Sequence, residues 1–196
     1  SQTGGANWPG GAVDPETGIM YIFSKSDVGR MSMSSRPERS DMDYINLQLR
    51  TAPRLSVEGL PLIKPPYGQI VALDLNEGEK LWDVVHGETP DSIRNHPALA
   101  GLDIPPTGQA GRVGVLVTKT LVIAGDGGSY TNADGEQEAL LRAYDKLTGK
   151  QLGSLSMPAQ QTGSPMTYAI DGVQYLVVAI AGSDVPGRLR VYSYEP

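Results

Sequence analysis

An Asp-x-x-x-Gly phrase stands as a turn between strand-like runs at three places in this chain. The copies are Asp14-Pro15-Glu16-Thr17-Gly18, Asp74-Leu75-Asn76-Glu77-Gly78 and Asp145-Lys146-Leu147-Thr148-Gly149. An Asp at the head of such a turn bonds its own backbone, and a Gly at its end supplies positive φ at no steric cost. The phrase therefore closes hairpins, and its recurrence points to a repeat architecture whose unit is made of strands. Asp14, Asp74 and Asp145 are assigned to these turns and given no catalytic role.

Around the turns, the apolar runs fall into units. Residues 10–13, 19–23, 70–73 and 79–84 read as four strands of a first unit, interrupted by a polar insertion at 25–67. The insertion contains Met31, Met33 and Met42 and has no sustained periodicity. A loop of that length in a compact domain is functional or partly disordered. A second excursion spans residues 91–108 and holds Pro97, Pro105 and Pro106. The second unit has strands at 113–117 and 121–124, joined by Thr118-Lys119-Thr120, then at 139–144 and 150–155. The third has strands at 163–169, 173–180 and 189–192, with Asp171-Gly172 as a two-residue hairpin signal, and stops one strand short.

Four antiparallel strands in about 45 residues is the size of a propeller blade. The expected fold is all-β: a partial β-propeller over residues 1–196, with one blade at 7–84, one at 108–155 and an incomplete one at 162–193. The 24 glycines, 15 prolines and 39% hydrophobic content suit many short strands. Propellers typically close with four to eight blades. This chain is thus expected to be part of a larger ring, stabilised by the remainder of that ring or by self-association. Trp82 ends the second phrase and is expected to lock one blade onto the next, as buried Trp commonly does. Its equivalent in the following unit is Gly153.

The net charge of −6 and the scattered Lys and Arg argue against nucleic acid as a partner. Absence of cysteine excludes disulfides and thiolate metal sites. No run approaches the roughly 20 apolar residues of a membrane helix. No signal peptide is visible at Ser1, so export would require that it has been removed. Residues 126–136 are acidic and Gly-rich, fit no standard Ca²⁺ loop, and are expected to form a solvated hairpin loop. His86 and His96, the only histidines, form no recognisable metal pair; a substrate-facing role is open for either. No catalytic residue and no metal ligand is assigned within the chain.

Several phrases, in order, resemble the C-terminal half of the pyrroloquinoline quinone (PQQ)-dependent dehydrogenases, most closely the quinoprotein glucose dehydrogenase branch. They are Gly5-Ala6-Asn7-Trp8 followed by Asp14-Pro15-Glu16-Thr17-Gly18, Pro65-Pro66-Tyr67-Gly68-Gln69-Ile70, residues 114–118, Gly163-Ser164-Pro165-Met166-Thr167-Tyr168 and Asp171-Gly172-Val173-Gln174-Tyr175. The resemblance implies an eight-bladed propeller with PQQ near the axis and Ca²⁺ at its quinone edge, in the bacterial periplasm. The parent would oxidise a sugar or alcohol and pass electrons to a quinone or cytochrome; whether it associates with a membrane is left open by the resemblance. Catalytic base and metal ligands would lie outside this chain, leaving the piece alone inactive. Asn7 would hydrogen-bond the quinone end of PQQ, and Trp8 would pack beside it. Arg112 stands where alcohol-oxidising relatives carry Trp before a Gly-Gly pair, and a guanidinium there can pair with a PQQ carboxylate.

Each of these residues also has a plainer reading: a turn cap for Asn7, an inter-blade core aromatic for Trp8, an ordinary ion pair for Arg112. The alternative for the whole chain is a non-enzymatic propeller scaffold that binds proteins.

Overall fold

The computed structural model describes residues 4–29, 32–46 and 55–194. Met31 and part of the insertion lie outside these residues. The described residues form sixteen strands: β1 (Gly11–Asp14), β2 (Ile19–Lys25), β3 (Met33–Ser34), β4 (Ile45–Asn46), β5 (Ser56–Val57), β6 (Leu60–Pro61), β7 (Gly68–Asp74) and β8 (Glu79–Val85), then β9 (Leu116–Val117), β10 (Leu121–Gly125), β11 (Tyr130–Thr131), β12 (Gln137–Asp145), β13 (Gln151–Met157), β14 (Met166–Ile170), β15 (Val173–Ile180) and β16 (Arg188–Tyr194). A single helical turn, α1 (Asp91–Arg94), and a 3₁₀ turn at Pro97–Leu99 interrupt the connection after β8.

The strands build three antiparallel sheets in chain order. The first has the order β1-β2-β7-β8, the second runs β9-β10-β12-β13 with β11 added beside β12, and the third is β14-β15-β16. Two small ladders, β3-β4 and β5-β6, lie within the insertion. The fold is all-β, in agreement with the repeat seen in the sequence.

Local chemistry explains the hairpins. Asp14 accepts from Glu16 N–H and Thr17 Oγ1, Asp74 from Asn76 and Glu77 N–H, and Asp145 from Leu147 and Thr148 N–H. Gly18, Gly78 and Gly149 close these turns with φ of 71°, 72° and 70°. The repeat extends to an irregularity: β7 and β12 both slip register two residues before their Asp, so that Leu81 and Leu152 bulge. Ala72 consequently faces Trp82, and Ala143 faces Gly153. That register makes Gly153 the structural counterpart of Trp82.

Alternation along the middle sheet buries it on both faces. Val122 and Ala124 of β10 and Tyr144 of β12 face the first sheet, packing with Tyr21, Phe23, Ile70 and Ala72. Ile123, Ala139 and Leu141 face the other way, against Met157, Val178 and Ile180. Trp82 locks the first interface as expected: its indole N–H donates to Lys146 O at 3.2 Å, beside the Tyr21 ring. Gly149 sits so close beneath it that a Cβ would come within 2.8 Å of Trp82 Cε3. Strand β14 starts at Met166 and not at 163, because residues 163–165 run as a loop along the second sheet. A Cβ on Gly114 would meet Ser164 Cα at 2.7 Å.

Candidate functional site

The sheets have two unlike ends. At one end lie the short Asp turns. At the other end β2, β8 and β10 finish, β1, β7 and β9 begin, and every long connection emerges; registers such as Lys25↔Gly68 and Gln69↔Val85 fix this end. Asn7 and Trp8 lead into β1 there, tied down by the reciprocal pair Gly5 N–H to Lys25 O at 2.7 Å and Lys25 N–H to Gly5 O at 3.2 Å. Arg112 precedes β9 at the same end. Strands β1 and β9 touch, so the three residues enter along the first strand of adjoining sheets.

Their environments differ. Asn7 shapes a turn: its carbonyl accepts from Gly10 N–H at 2.8 Å, and its Oδ1 accepts from Trp8 N–H at 2.7 Å. Trp8 is 96% exposed, so it is not an inter-blade core aromatic within this chain. Arg112 is exposed and makes no ion pair with another described residue.

Farther from β1, the β5-β6 hairpin, α1 and the connections around them enclose a cavity of about 350 Å³. Its walls include Ser26, Leu55, Gly59, Ile63, Ile93 and Gln109; Asn7, Trp8 and Arg112 are not among them. Gln109, one of the lining residues, is held by hydrogen bonds and by close backbone contacts. Its N–H donates to His86 O at 3.0 Å. Glycines crowd it: a Cβ on Gly68 would reach Gln109 O at 2.3 Å, and one on Gly128 would reach its Cδ at 2.6 Å. Only glycine allows so close a crossing of backbones. Gln109 Nε2 donates to Ser129 O at 3.0 Å, whereas its buried Oε1 has no hydrogen-bond partner. A buried acceptor left in this state costs about 1–3 kcal/mol.

The two histidines are structural. His86 is fully buried, with Nε2 3.0 Å from Gly125 O and Nδ1 2.8 Å from Tyr144 Oη. A carbonyl can only accept, so Nε2 carries the proton and Tyr144 O–H donates to Nδ1. Burial pushes the His86 pKa down, with the Asp126 charge opposing; burial likewise pushes the Tyr144 hydroxyl up. His86 thus serves the first interface and does not face a substrate. His96 Nδ1 accepts from Ala98 N–H at 3.2 Å, and its Nε2–H donates to Glu58 O at 2.8 Å, anchoring the β5-β6 hairpin beside the cavity.

The acidic loop at 126–136 departs from its expected solvated state. Asp126 is fully buried; its carboxylate takes Arg142 Nε at 2.7 Å and Leu140 N–H at 3.0 Å. Arg142 reaches on to Glu88 at 3.0 Å. Burial works against the guanidinium charge, but Asp126 and then Glu88 outweigh it and raise the Arg142 pKa above its ordinary value. Tyr130 is also buried; desolvation and its bond to Glu138 push its hydroxyl to about 12. Only the tip behaves as expected, an Asx-type turn in which Asn132 Oδ1 accepts from Asp134 and Glu136 N–H.

The sequence reading missed Gln109 and its relative. Gln109-Ala110-Gly111 and Gln161-Thr162-Gly163 occupy matching connections, before β9 and before β14. This second, shorter repeat was the signal that would have found them.

The fold has a close parallel among solved structures: a quinohemoprotein alcohol dehydrogenase from Pseudomonas putida HK5 superposes with a TM-score of 0.52 at 18% identity, covering 91% of this chain and 22% of that one. At that identity the likeness concerns the fold. The family model described as glucose/ethanol/alcohol dehydrogenase, β-propeller domain, of the PQQ proteins, matches residues 1–176. This chain belongs to the PQQ-dependent dehydrogenase family. Among relatives of this quinoprotein domain, a probable quinate dehydrogenase (quinone) from Xanthomonas campestris pv. juglandis is 28% identical over 200 residues, covering 92% of this chain and 24% of that protein. Quinoprotein glucose dehydrogenase A from Acinetobacter calcoaceticus is 30% identical over 128 residues, or 65% of this chain and 15% of that protein. A glycerol dehydrogenase large subunit from Gluconobacter thailandicus is 33% identical over 141 residues, or 69% and 18%. The chain spans at most about a quarter of the length of these three relatives.

Proposed function

We propose that this chain forms part of the wall of the PQQ site in a periplasmic dehydrogenase of sugars or alcohols, with Asn7, Trp8 and Arg112 turned to the cofactor. The family match over residues 1–176 carries this reading. PQQ, when bound with Ca²⁺, supplies the electrophilic quinone that accepts a hydride equivalent from the substrate. Among the described residues no group of three His, Cys, Asp or Glu is placed to hold a metal ion. The metal and the catalytic base are assigned to other parts of the ring.

The side chains at the starts of β1 and β9 fit a flat, anionic ring system. Trp8 offers an open indole face of the kind that stacks on a planar heterocycle. Arg112 offers an exposed guanidinium suited to bidentate capture of a carboxylate. The Asn7 carboxamide is oriented by its bond to Trp8 N–H, and its amide hydrogens are the right chemistry for a quinone oxygen. Domain limits at 7–84, 108–155 and 162–193 belong to the same proposal, as does transfer of electrons to a quinone or cytochrome. The open face of the third sheet, with Met166, Ile170, Leu189 and Val191 exposed, suits contact with the remainder of the ring.

The test is PQQ uptake by the full-length protein reconstituted with Ca²⁺, followed by cofactor absorbance and by dye-linked oxidation of glucose and glycerol. Asn7→Ala and Arg112→Ala are each expected to weaken uptake by about tenfold, equivalent to about 1.4 kcal/mol. Unchanged uptake in both variants removes these residues from the site. No uptake by the wild type leaves the scaffold alternative.

A further inference from the structure

Strand β9 is only two residues long, although the apolar run that leads into it starts at Val113. Thr118 N–H donates to Leu121 O at 2.8 Å, and β9 pairs with β10 through Val117↔Val122 and Leu116↔Ile123. Hydrogen-bonded pairs in an antiparallel ladder recur at every second residue. Counted from Thr118 and Leu121, they fall at Leu116 with Ile123 and next at Gly114 with Gly125. At that rung the ladder is interrupted by side chains from two other connections. Gly125 N–H donates to Gln161 Oε1 at 2.6 Å, and Gly114 O accepts from Gln161 Nε2 at 2.8 Å. Gly125 O is taken by His86 Nε2 at 3.0 Å. A carboxamide offers an acceptor and a donor, as a peptide group does. The Gln161 side chain thus replaces the rung and holds the two backbones apart. The glycines leave room for it: a Cβ on Gly125 would come within 2.8 Å of Gln161 Oε1, and one on Gly114 would meet Ser164 Cα at 2.7 Å.

We propose that Gln161 is a positioning residue of the cofactor wall: its wedged carboxamide sets where the Arg112 guanidinium stands. This rests on the reading that Arg112 faces PQQ. Arg112 lies two residues ahead of the clamped Gly114 carbonyl, outside any strand, and its side chain is exposed. The backbone on either side of it is held. Val113 is 2% exposed, and Gly111 crosses Gly127 so closely that a Cβ would come within 2.4 Å of Gly127 Cα. Gln161 is itself fixed by the third sheet. Its N–H donates to Asp126 O at 2.9 Å, and it bridges Ile180 of β15. At 2% exposure, Gln161 acts on a bound cofactor only through the connection it holds. Capture of a carboxylate by two parallel hydrogen bonds depends on the place and tilt of the guanidinium, so releasing Gly114 costs that contact. The first sheet solves the same problem without a wedge: Asn7 to Gly10 loop out as a turn, and Gly5 pairs again with Lys25.

The experiment titrates PQQ into the full-length, cofactor-free protein in the presence of Ca²⁺, read by cofactor absorbance. It compares the wild type, Arg112→Ala, Gln161→Met and the double variant. Each single variant is expected to weaken binding about tenfold. Because both changes act on one contact, the double variant is expected to bind within about threefold of Arg112→Ala alone. Trp82→Ala, which destabilises the other interface, is the control for a merely structural effect and is expected to keep wild-type affinity. Gln161→Glu keeps the acceptor for Gly125 N–H and replaces only the donor to Gly114 O; it decides the matter should Gln161→Met fail to fold. Wild-type affinity in the Gln161 variants, losses that multiply in the double variant, or an equal loss in Trp82→Ala overturns the positioning role and leaves the cofactor wall standing. Absent binding by the wild type, or wild-type affinity in Arg112→Ala, removes Arg112 from the cofactor wall and overturns the positioning role with it.

Discussion

The interface between the first and second sheets and the interface between the second and third use one scaffold with different chemistry. The first is tied by polar contacts across its depth. Lys146 meets Asp14 at 2.7 Å, Tyr21 Oη donates to Lys146 O at 3.1 Å, Trp82 donates to the same carbonyl, and His86 pairs with Tyr144. The second is mainly apolar, with Met157, Val178 and Ile180 at its centre. Its polar ties are few: Gln161, and Tyr192 Oη to Ser156 O at 3.0 Å. The period of two along β12 accounts for the contrast. It sends Arg142 and Tyr144 to the first face and Ala139, Leu141 and Ala143 to the second. A single strand can therefore carry a polar interface on one side and a greasy one on the other. Gly153, in the place of Trp82, has nothing within 4 Å of where its Cβ would be.

The sharpest way to break the first interface is Arg142→Met, which leaves Asp126 buried and unpaired. Removing one partner of a buried pair costs about 3–5 kcal/mol, so a large drop in the urea midpoint of the full-length protein is expected. Trp82→Ala comes next, at about 3 kcal/mol for loss of a large, partly buried aromatic and its hydrogen bond. Gly153→Ala, at the matching site of the second interface, is expected to change stability by less than about 0.5 kcal/mol. Equal effects at the two positions would mean that the Trp lock does not distinguish the interfaces.

The glutamines sharpen the comparison further. Gln161→Met strands Gly125 N–H and Gly114 O and is expected to cost about 2 kcal/mol or more, whereas Gln109→Met loses a single bond, worth about 1 kcal/mol. Thermal melts of the two variants side by side check this. A larger loss at Gln109 would mean that its close packing between glycines outweighs the second hydrogen bond of Gln161.

The smallest effect is that of pH, and it too separates the interfaces. Burial holds the folded pKa of His86 below its unfolded value of about 6.5, so the unfolded chain binds the extra proton and stability falls as pH drops below that value. Asp14 acts lower. Its hydrogen bonds from Lys146 and Thr17 depress its folded pKa, so its contribution is complete above about pH 3.9 and is lost as pH falls through the folded value. Both groups belong to the first interface. In urea titrations at stepped pH, His86→Gln is expected to flatten the slope just below pH 6.5 while leaving the low-pH loss in place.

Much of this was legible in the sequence because it is local. The Asp turns and their glycines are completed by hydrogen bonds within a few residues, and the Asp171-Gly172 hairpin adopts φ of 52° and 80° as its residue types require. Trp82 could be assigned because it stands at the end of one of the recurring Asp-turn phrases. The plainer core reading of Trp8 gave way to an exposed ring. The acidic loop was misread because composition alone suggests solvent. What buries Asp126 is Arg142, on the neighbouring strand, and Glu88 beyond it, in another sheet's connection.

By itself, then, the sequence determined the hairpins, the repeat and hence the stacked sheets, since these rest on short-range dihedral preferences and on alternation. Only the tertiary structure decided which polar residues are buried and what they meet. His86 became a neutral core residue because Gly125 and Tyr144, 39 and 58 positions away, close around it. Gln161 was satisfied and Gln109 left with a bare oxygen for the same reason. Whether a buried amide finds a partner depends on which backbone groups from distant segments arrive beside it, and no local pattern records that.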